Sequence, residues 1–262
     1  MPAIDRVAFT LGSVPVYWYG VLMALAIGLA VLTCMVRERR LGLERDTTLN
    51  LALWVVPMGV IGARLYYVLF SLGDYIKNPL LIFDLRSGGV AIYGAVIAGV
   101  VTGFVYARVT RQPFWTLADL AAPAIALGQA VGRWGNFINQ EAYGYAVVDP
   151  ALTWFPMSVF IEATEQWHLA TFFYESAWCL LLFVALLIAE RRHAFKRRGD
   201  LFLWYVMLYA LERGFVEGLR TDSLMLWGLR ASQVLSIAAC VICAIILWVR
   251  KNTKDTDGRP IP

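Results

Sequence analysis

Residues 117–141 read LADLAAPAIALGQAVGRWGNFINQE, an apolar run that ends in a dense group of polar side chains. The polar group consists of Arg133, Asn136, Asn139, Gln140 and Glu141. An arginine in or near hydrocarbon costs roughly 2.5 to 3.5 kcal/mol on insertion scales, so a partner or ligand is expected to offset that cost. The stretch therefore predicts a membrane helix with a binding site for an anionic group at its end.

The composition of the whole chain also indicates a membrane protein. Apolar residues make up 60% of the 262 residues, and the mean hydropathy is +0.62. Soluble domains have about 45–50% apolar residues, and a hydrocarbon core of about 30 Å requires about 20 apolar residues per helix. We therefore predict an all-α integral membrane protein with seven spans: Tyr17–Val36, Leu49–Phe70, Gly89–Val109, Leu117–Asn136, Ala170–Ala189, Leu201–Val216 and Ala231–Val249. Strands are not expected, because only helices and closed barrels satisfy the backbone in lipid.

The basic residues of alternate loops set the orientation, because Lys and Arg near span ends stay on the cytoplasmic side. One set of loops carries Arg37, Arg39, Arg40, Arg45, Arg108, Arg111, Arg191, Arg192, Lys196, Arg197, Arg198, Arg250, Lys251, Lys254 and Arg259. The opposite set carries only Arg6, Lys77, Arg86 and Arg230. This asymmetry predicts an outer N-terminus and an inner C-terminus, which agrees with seven spans. Arg133, Arg213 and Arg220 then lie at outer span ends.

The chain is predicted to be a single polytopic domain, residues 1–262, without a removable signal peptide. Residues 139–169 contain four acidic residues, several aromatic residues and no basic residue, which favours a small outer-surface cap; a plain connecting loop is the alternative. The net charge of +4 follows from the cytoplasmic loops and does not indicate nucleic acid. Cys240 and Cys243 form a C-x-x-C in an apolar helix without histidine nearby, so no metal site is predicted.

A second polar group lies on the sixth predicted span. Tyr209, Arg213, Glu217 and Arg220 follow at steps of four, four and three, which puts them on one helix face. Glu217 is able to pair with both arginines, so this face is either a ligand site or a structural ladder of ion pairs. Glu212 lies on a neighbouring face and has no predicted partner.

Arg133 and Asn136 share a face of the fourth span, where Gly132 and Gly135 leave the backbone open. The glycines permit either close approach of a ligand or tight helix packing. A planar guanidinium beside an amide donor suits a phosphodiester, because it donates in a fork to two oxygens. Tyr19 and Tyr93 add two hydroxyls, although aromatic residues of the membrane interface are the simpler interpretation, above all for Tyr19.

The chain resembles the bacterial phosphatidylglycerol:prolipoprotein diacylglyceryl transferases over nearly its whole length. The signature G-R-x-G-N-F-I-N-x-E is present as Gly132–Glu141, and Gly144 is similar to the glycine that closes the motif. Supporting matches are W-Y-G at Trp18–Gly20, G-A-R-L at Gly62–Leu65, the glycine-rich third span, T-F-F-Y-E-S at Thr171–Ser176 and F-V-E-G-L-R-T-D at Phe215–Asp222.

The resemblance implies transfer of the diacylglyceryl group of phosphatidylglycerol to the lipobox cysteine thiol of a prolipoprotein signal peptide, with release of glycerol phosphate. It implies a bacterial plasma membrane enzyme whose site faces outward, with membrane lipids around it and no metal or organic cofactor. The expected catalytic residues are Arg133, Arg213, Tyr93 and Glu141. The expected lipid-binding residues are Tyr19, Arg133, Asn136, Asn139, Gly144, Tyr209, Arg213, Glu217 and Arg220. A transporter of lipids or anionic solutes is the competing class, although no internal repeat of the transporter kind is found.

One departure from the family concerns the proton acceptor. Many members have a histidine where this chain has Tyr93, and a phenol is a poor base at neutral pH unless cations stabilise its phenolate. Tyr93 is therefore expected to donate to the headgroup, or to act as an arginine-activated base, with Glu141 as an alternative base. Glu175, Arg64 and Asp119 also match family positions, but span-end or helix-packing roles suit Arg64 and Asp119 equally well. His168 is one residue out of register and receives no family role.

Overall fold

The computed structural model describes residues 5–84, 88–221, 225–226 and 229–252. Arg86, Asp222, Lys254 and Arg259, on which some sequence predictions rest, lie outside these ranges. The described chain is mainly helical. Its α-helices are α1 Trp18–Glu38, α2 Thr47–Phe70, α3 Leu72–Lys77, α4 Ile92–Val109, α5 Phe114–Asn139, α6 Thr171–Arg191, α7 Asp200–Leu219 and α8 Ala231–Asn252.

Six helices in the described ranges are long and apolar enough to cross a membrane. They are α1, α2, α4, α5, α6 and most of α8, and each coincides with one predicted span to within a few residues. The remaining prediction, Leu201–Val216, is helical as α7, but this helix carries Asp200, Glu212, Arg213 and Glu217 and does not belong to the six. The structure thus confirms a helical membrane protein, and among its described long helices α7 carries the most charged residues.

The expectation that strands would be absent is wrong outside the helices. Three short antiparallel hairpins occur in the described residues: β1 Val7–Leu11 with β2 Val14–Tyr17, β3 Ser158–Ile161 with β4 Gln166–Leu169, and β5 Met225–Leu226 with β6 Leu229–Arg230. In β3–β4, Ser158 pairs with Leu169 and Ile161 with Gln166. The argument from lipid applies only to chain inside hydrocarbon, so it does not bear on these connecting segments.

The chain divides into two compact units, one joining Met1–Thr33 to Asp119–Ile261 and the other containing Cys34–Ala118. In the second unit α2 packs against α4 at two glycines. A Cβ on Gly62 would overlap Ala98 and the Gly94 carbonyl, and a Cβ on Gly94 would overlap the Gly62 carbonyl. The backbones are therefore in direct contact, and the Ala91 N–H donates to the Ala63 carbonyl at 3.0 Å.

Arg64 organises the segment between α2 and α4. Its buried guanidinium donates to five main-chain carbonyls, those of Leu81, Ile82, Asp84, Gly88 and Gly89. A residue with five N–H donors in a fixed plane can bind so many carbonyls at once. The contacts support a structural role for Arg64 in shaping the chain that leads to α4.

In the first unit α7 packs against both α6 and α8. The core between α5, α6 and α7 contains Ala122, Ala126, Leu182, Leu201 and Tyr205. Asp119, near the start of α5, accepts hydrogen bonds from the backbone N–H groups of Gly199 at 2.6 Å and Phe202 at 2.9 Å. A carboxylate at this position satisfies first-turn donors of α7, so Asp119 caps that helix.

Candidate active site

Two arginines from different helices meet on one buried carboxylate. Glu175 of α6 has only 1% of its side chain exposed, and its Oε2 pairs with Arg133 of α5. Its Oε1 accepts from Nη1 of Arg213 on α7 at 2.9 Å. Arg213 also reaches Glu217, one turn further along α7, with Nη2 to Oε2 at 2.6 Å. The four side chains form a continuous chain of ion pairs with two positive and two negative charges.

The arginines keep part of their surface open although their carboxylate is buried. The exposed fractions of the side chains are 20% for Arg133 and 18% for Arg213. Because Glu175 binds one guanidinium with each oxygen, it fixes the separation of the two cations. A guanidinium has five N–H donors, and the contacts with Glu175 and Glu217 use two of those of Arg213. The arrangement is a preorganised pair of cations that suits a phosphate group.

A layer of polar side chains lies beside the ion pairs. Arg133 is hydrogen-bonded to Tyr209 of α7, and the Tyr209 ring stacks on Tyr205 with centroids 6.0 Å apart. The Tyr205 hydroxyl donates to Gln129 Oε1 at 3.0 Å, and the Cys179 thiol lies 3.8 Å from the same oxygen. These contacts orient the Arg133 side chain through Tyr209. Sequence reasoning did not identify Gln129 or Tyr205, which look like ordinary residues of an apolar run.

The end of α5 forms a loop around Glu141. The side-chain amides of Asn136 and Asn139 donate to Glu141 Oε1 at 3.0 and 3.3 Å, and the Glu141 N–H donates to the Asn136 carbonyl. The flanking Gln140 and Ala142 both have positive φ, at 54° and 58°, which is uncommon for residues with a Cβ. The loop is thus built around an exposed carboxylate that two amides of the motif orient.

Tyr19 connects the loop to the arginine cluster. Its ring covers Gly135, where a Cβ would lie only 2.7 Å from Tyr19 Cδ2. The charges that act on its hydroxyl are those of Glu141 and Arg133. Gly135 therefore serves close packing here, and that packing brings the Tyr19 ring into the predicted site.

Gly144 lies between the β3–β4 hairpin and the end of α7. Its N–H donates to the Leu169 carbonyl at 3.0 Å, and its own carbonyl is 2.8 Å from His168 Nδ1. It also forms an antiparallel bridge with Arg220. A Cβ at this position would lie 2.9 Å from the Leu219 carbonyl, so only glycine fits. His168, which sequence reasoning set aside, thus binds the glycine that closes the motif.

Arg230 of β6 is a further residue that sequence reasoning missed. Its Nη1 donates to the Glu217 carbonyl near the end of α7, and its Nη2 lies 2.6 Å from the Tyr145 hydroxyl. Cations are favoured at helix C-termini, where carbonyls lack partners. In the sequence Arg230 looked like one of a few outer-loop charges, and no local pattern pointed to its contact with α7.

The structure brings together Arg133, Arg213, Glu175, Glu217 and Tyr209, and it groups Glu141 with Asn136 and Asn139. Asp119 is on α5, 14 residues before Arg133, or about 21 Å along the helix. Arg64 and Tyr93 belong to the unit Cys34–Ala118, where the rings of Tyr66 and Tyr93 are 6.4 Å apart. Within the described ranges, no three His, Cys, Asp or Glu side chains converge in a way that would hold a metal ion.

Comparison with known proteins identifies the family. A family model described as prolipoprotein diacylglyceryl transferase matches residues 6–249. A phosphatidylglycerol–prolipoprotein diacylglyceryl transferase of Bacillus cytotoxicus is 45% identical over 99% of this chain and 97% of its own length. Proteins of the same name from Bacillus cereus and Bacillus mycoides are each 44% identical over the same shares. The chain therefore belongs to the prolipoprotein diacylglyceryl transferase family.

Proposed function

We propose that this protein transfers the diacylglyceryl group of phosphatidylglycerol to the lipobox cysteine thiol of prolipoproteins. The observation that carries this proposal is the paired arrangement of Arg133 and Arg213 on Glu175, within a chain that matches the family over residues 6–249. The product is a thioether-linked lipid on the preprotein, and glycerol phosphate is released.

The phosphodiester of the lipid binds to the open side of the two guanidiniums. Its two non-bridging oxygens accept from Arg133 and Arg213, whose spacing Glu175 holds before the lipid arrives. Tyr209 orients Arg133, and the amides of Asn136 and Asn139 lie at the same end of α5. Charge-assisted hydrogen bonds of this kind are about twice as strong as neutral ones. Preorganised donors need no rearrangement when charge develops on the phosphate.

The reaction is a displacement at the glycerol carbon that bears the phosphate. The cysteine sulfur forms the new bond to this carbon while the carbon–oxygen bond breaks, and its electron pair stays on the departing phosphate. The two arginines stabilise that added negative charge. They also favour the thiolate form of the incoming cysteine, because nearby cations lower the pKa of a thiol.

The thiol proton goes to Glu141. Its carboxylate is exposed, is oriented by two amides and lies just beyond the end of α5, the helix that carries Arg133. Tyr93, which stands where many family members have histidine, donates a hydrogen bond to the glycerol headgroup instead. A neutral phenol is suited to donation and poorly suited to proton abstraction.

The site faces the outer side of the bacterial plasma membrane. This orientation follows from the basic residues at the cytoplasmic ends of the helices, and it gives residues 139–169 the position of an outer cap over a single membrane domain. In this topology α7 is the sixth of the seven spans, and its Arg213 pairs with Glu175 of α6. The lipid donor and the signal peptide both reach the site from within the membrane.

The first experiment measures transfer of labelled diacylglyceryl from phosphatidylglycerol to a lipobox peptide by the purified protein. The Cys→Ser peptide is the control for the acceptor, and Glu165→Gln, on an exposed turn of the hairpin, is the control variant. We expect Arg133→Lys to lower the rate by about a hundredfold, the usual loss for one preorganised donor group. Label on the serine peptide, or no transfer by folded wild-type protein from several anionic lipids, would overturn the proposal.

The proton acceptor is tested by a pair of variants in the same assay. Glu141→Gln keeps the hydrogen bonds with the two asparagines possible but cannot take a proton, so we expect kcat to fall by about 10²- to 10⁴-fold. Tyr93→Phe removes one hydrogen bond to a neutral group, and we expect about a tenfold rise in KM for the lipid. The reverse result, with kcat lost in Tyr93→Phe and kept in Glu141→Gln, would assign the base to Tyr93.

A further inference from the structure

Glu212 is a buried acid that the proposed reaction does not use. It lies on α7 next to Arg213 and is only 6% exposed. In the described part of the chain, neither of its carboxyl oxygens has a hydrogen-bond partner. The charged groups that act on it are Glu175 of α6 and Arg133 and Arg213 of α5 and α7. Glu212 therefore belongs to the arginine cluster without being paired in it.

The charges of the cluster are balanced without Glu212. Arg133 and Arg213 carry two positive charges, and Glu175 and Glu217 carry two negative charges through direct ion pairs. An ionised Glu212 would add an unpaired buried charge beside the carboxylate of Glu175. Such a charge is strongly unfavourable, and a buried carboxyl without a partner avoids this cost by keeping its proton.

The remaining neighbours do not offer Glu212 a counter-charge. On α6 a further titratable group that interacts with Glu212 is the Cys179 thiol, which is neutral when protonated. On α5 the Gln129 amide oxygen already accepts from Tyr205. On α7 itself Tyr209 is hydrogen-bonded to Arg133. Each of these groups is neutral or already engaged, so among the described residues the charged form of Glu212 is favoured only by Arg133 and Arg213, which are paired with other carboxylates.

We infer that Glu212 is a buried neutral carboxylic acid beside the phosphate site, and that by keeping its proton it holds the net charge of the arginine cluster at zero. This inference rests on the proposed function and assigns one further residue to it. With Glu212 neutral, the cluster admits one singly charged phosphodiester. With Glu212 ionised, the cluster has a net charge of −1 and repels the same group. Glu212 acts through the charge of the site and does not take the thiol proton.

The test compares Glu212→Gln and Glu212→Leu with wild type in the transfer assay, from neutral to alkaline pH. Both substitutes are close to glutamate in size and cannot ionise. We expect both variants to transfer at neutral pH with a KM for phosphatidylglycerol within about threefold of wild type, since a neutral acid is replaced by a neutral side chain. At alkaline pH the wild-type KM should rise by about tenfold, the effect of one charge across a partly solvated site, while the variants stay constant.

Several outcomes overturn the inference and are separable. If both variants lose kcat at neutral pH, Glu212 acts as an ionised base. If Glu212→Gln is active and Glu212→Leu is not, Glu212 donates a required hydrogen bond. If all three proteins share the same alkaline rise in KM, Glu212 has no influence on the charge of the site. Failure of wild type to transfer at any pH would instead refute the proposed function, so the two failures are distinguishable.

Discussion

Replacement of Glu175 by glutamine tests the central contact of the site. The amide has the shape of the carboxylate but accepts with one oxygen only, so one of the two arginines faces an NH2 group. Arg133 loses its paired carboxylate, and Arg213 keeps only that of Glu217. Removing one partner of a buried ion pair costs about 3–5 kcal/mol. Because the two arginine side chains remain 20% and 18% exposed, water offsets part of the loss and we expect about 3 kcal/mol.

A loss of about 3 kcal/mol lowers the ratio of folded to unfolded protein by more than a hundredfold. It is measured as the free energy of unfolding of the purified protein in mixed micelles with increasing dodecyl sulfate. Glu165→Gln makes the same chemical change on an exposed turn, and surface substitutions usually stay within about 0.5 kcal/mol of wild type. The transfer rate per folded molecule should also fall in Glu175→Gln, because the separation of the guanidiniums is no longer fixed.

The explanation fails if Glu175→Gln unfolds within about 1 kcal/mol of wild type, since a neutral hydrogen bond would then account for the whole contact. It fails in a second way if stability falls but the folded variant transfers lipid at the wild-type rate. In that case Glu175 would stabilise the helices without holding the arginines for the phosphate.

Three further substitutions separate structural from chemical roles. Asp119→Ala removes the cap of α7 and should cost about 1–2 kcal/mol in unfolding free energy, while KM for the lipid stays unchanged; a change in KM with intact stability would connect Asp119 to the site. Arg64→Lys keeps the charge but leaves three donors for five carbonyls. We therefore expect the segment between α2 and α4 to be cleaved faster by proteases. An unchanged cleavage rate would show that the carbonyl contacts are dispensable. Gly62→Val places a branched side chain against Gly94 and should lower the free energy of unfolding by about 1–3 kcal/mol or more in the same titration. An unchanged free energy of unfolding would mean that α2 and α4 can move apart at no cost.

The helices were predictable from the sequence because their signal is long and uniform. Each predicted span coincides with a helix to within a few residues, as for Leu49–Phe70 against α2 Thr47–Phe70. The pairing of Arg213 with Glu217 was also predictable, since residues four apart share a helix face. These are local relations, and local relations can be read from residue spacing.

Contacts between distant segments were not predictable in this way. No residue spacing around Glu175 indicates that it binds arginines from two other helices. Its match to a family position likewise did not indicate which residues it contacts. The contact between His168 and Gly144 depends on the register of a hairpin, within residues 139–169, for which the sequence predicted a small cap or a connecting loop. Asp119 was interpretable as a span-end charge, but its hydrogen bonds to the start of α7 require the packing of α5 against that helix.

The glycine contact between α2 and α4 restricts how bulky substrates enter and leave. At Gly62 and Gly94 the backbones of α2 and α4 are in direct contact. A change of side-chain rotamer at these two positions therefore cannot open a gap between the helices. The space left between the two backbones is too narrow for an acyl chain, so lipid cannot pass between α2 and α4 at the level of these glycines. In the proposed topology that level is in the outer half of the bilayer, where phosphatidylglycerol must arrive. At this level, entry of the lipid and release of the lipidated product therefore have to occur between other pairs of helices.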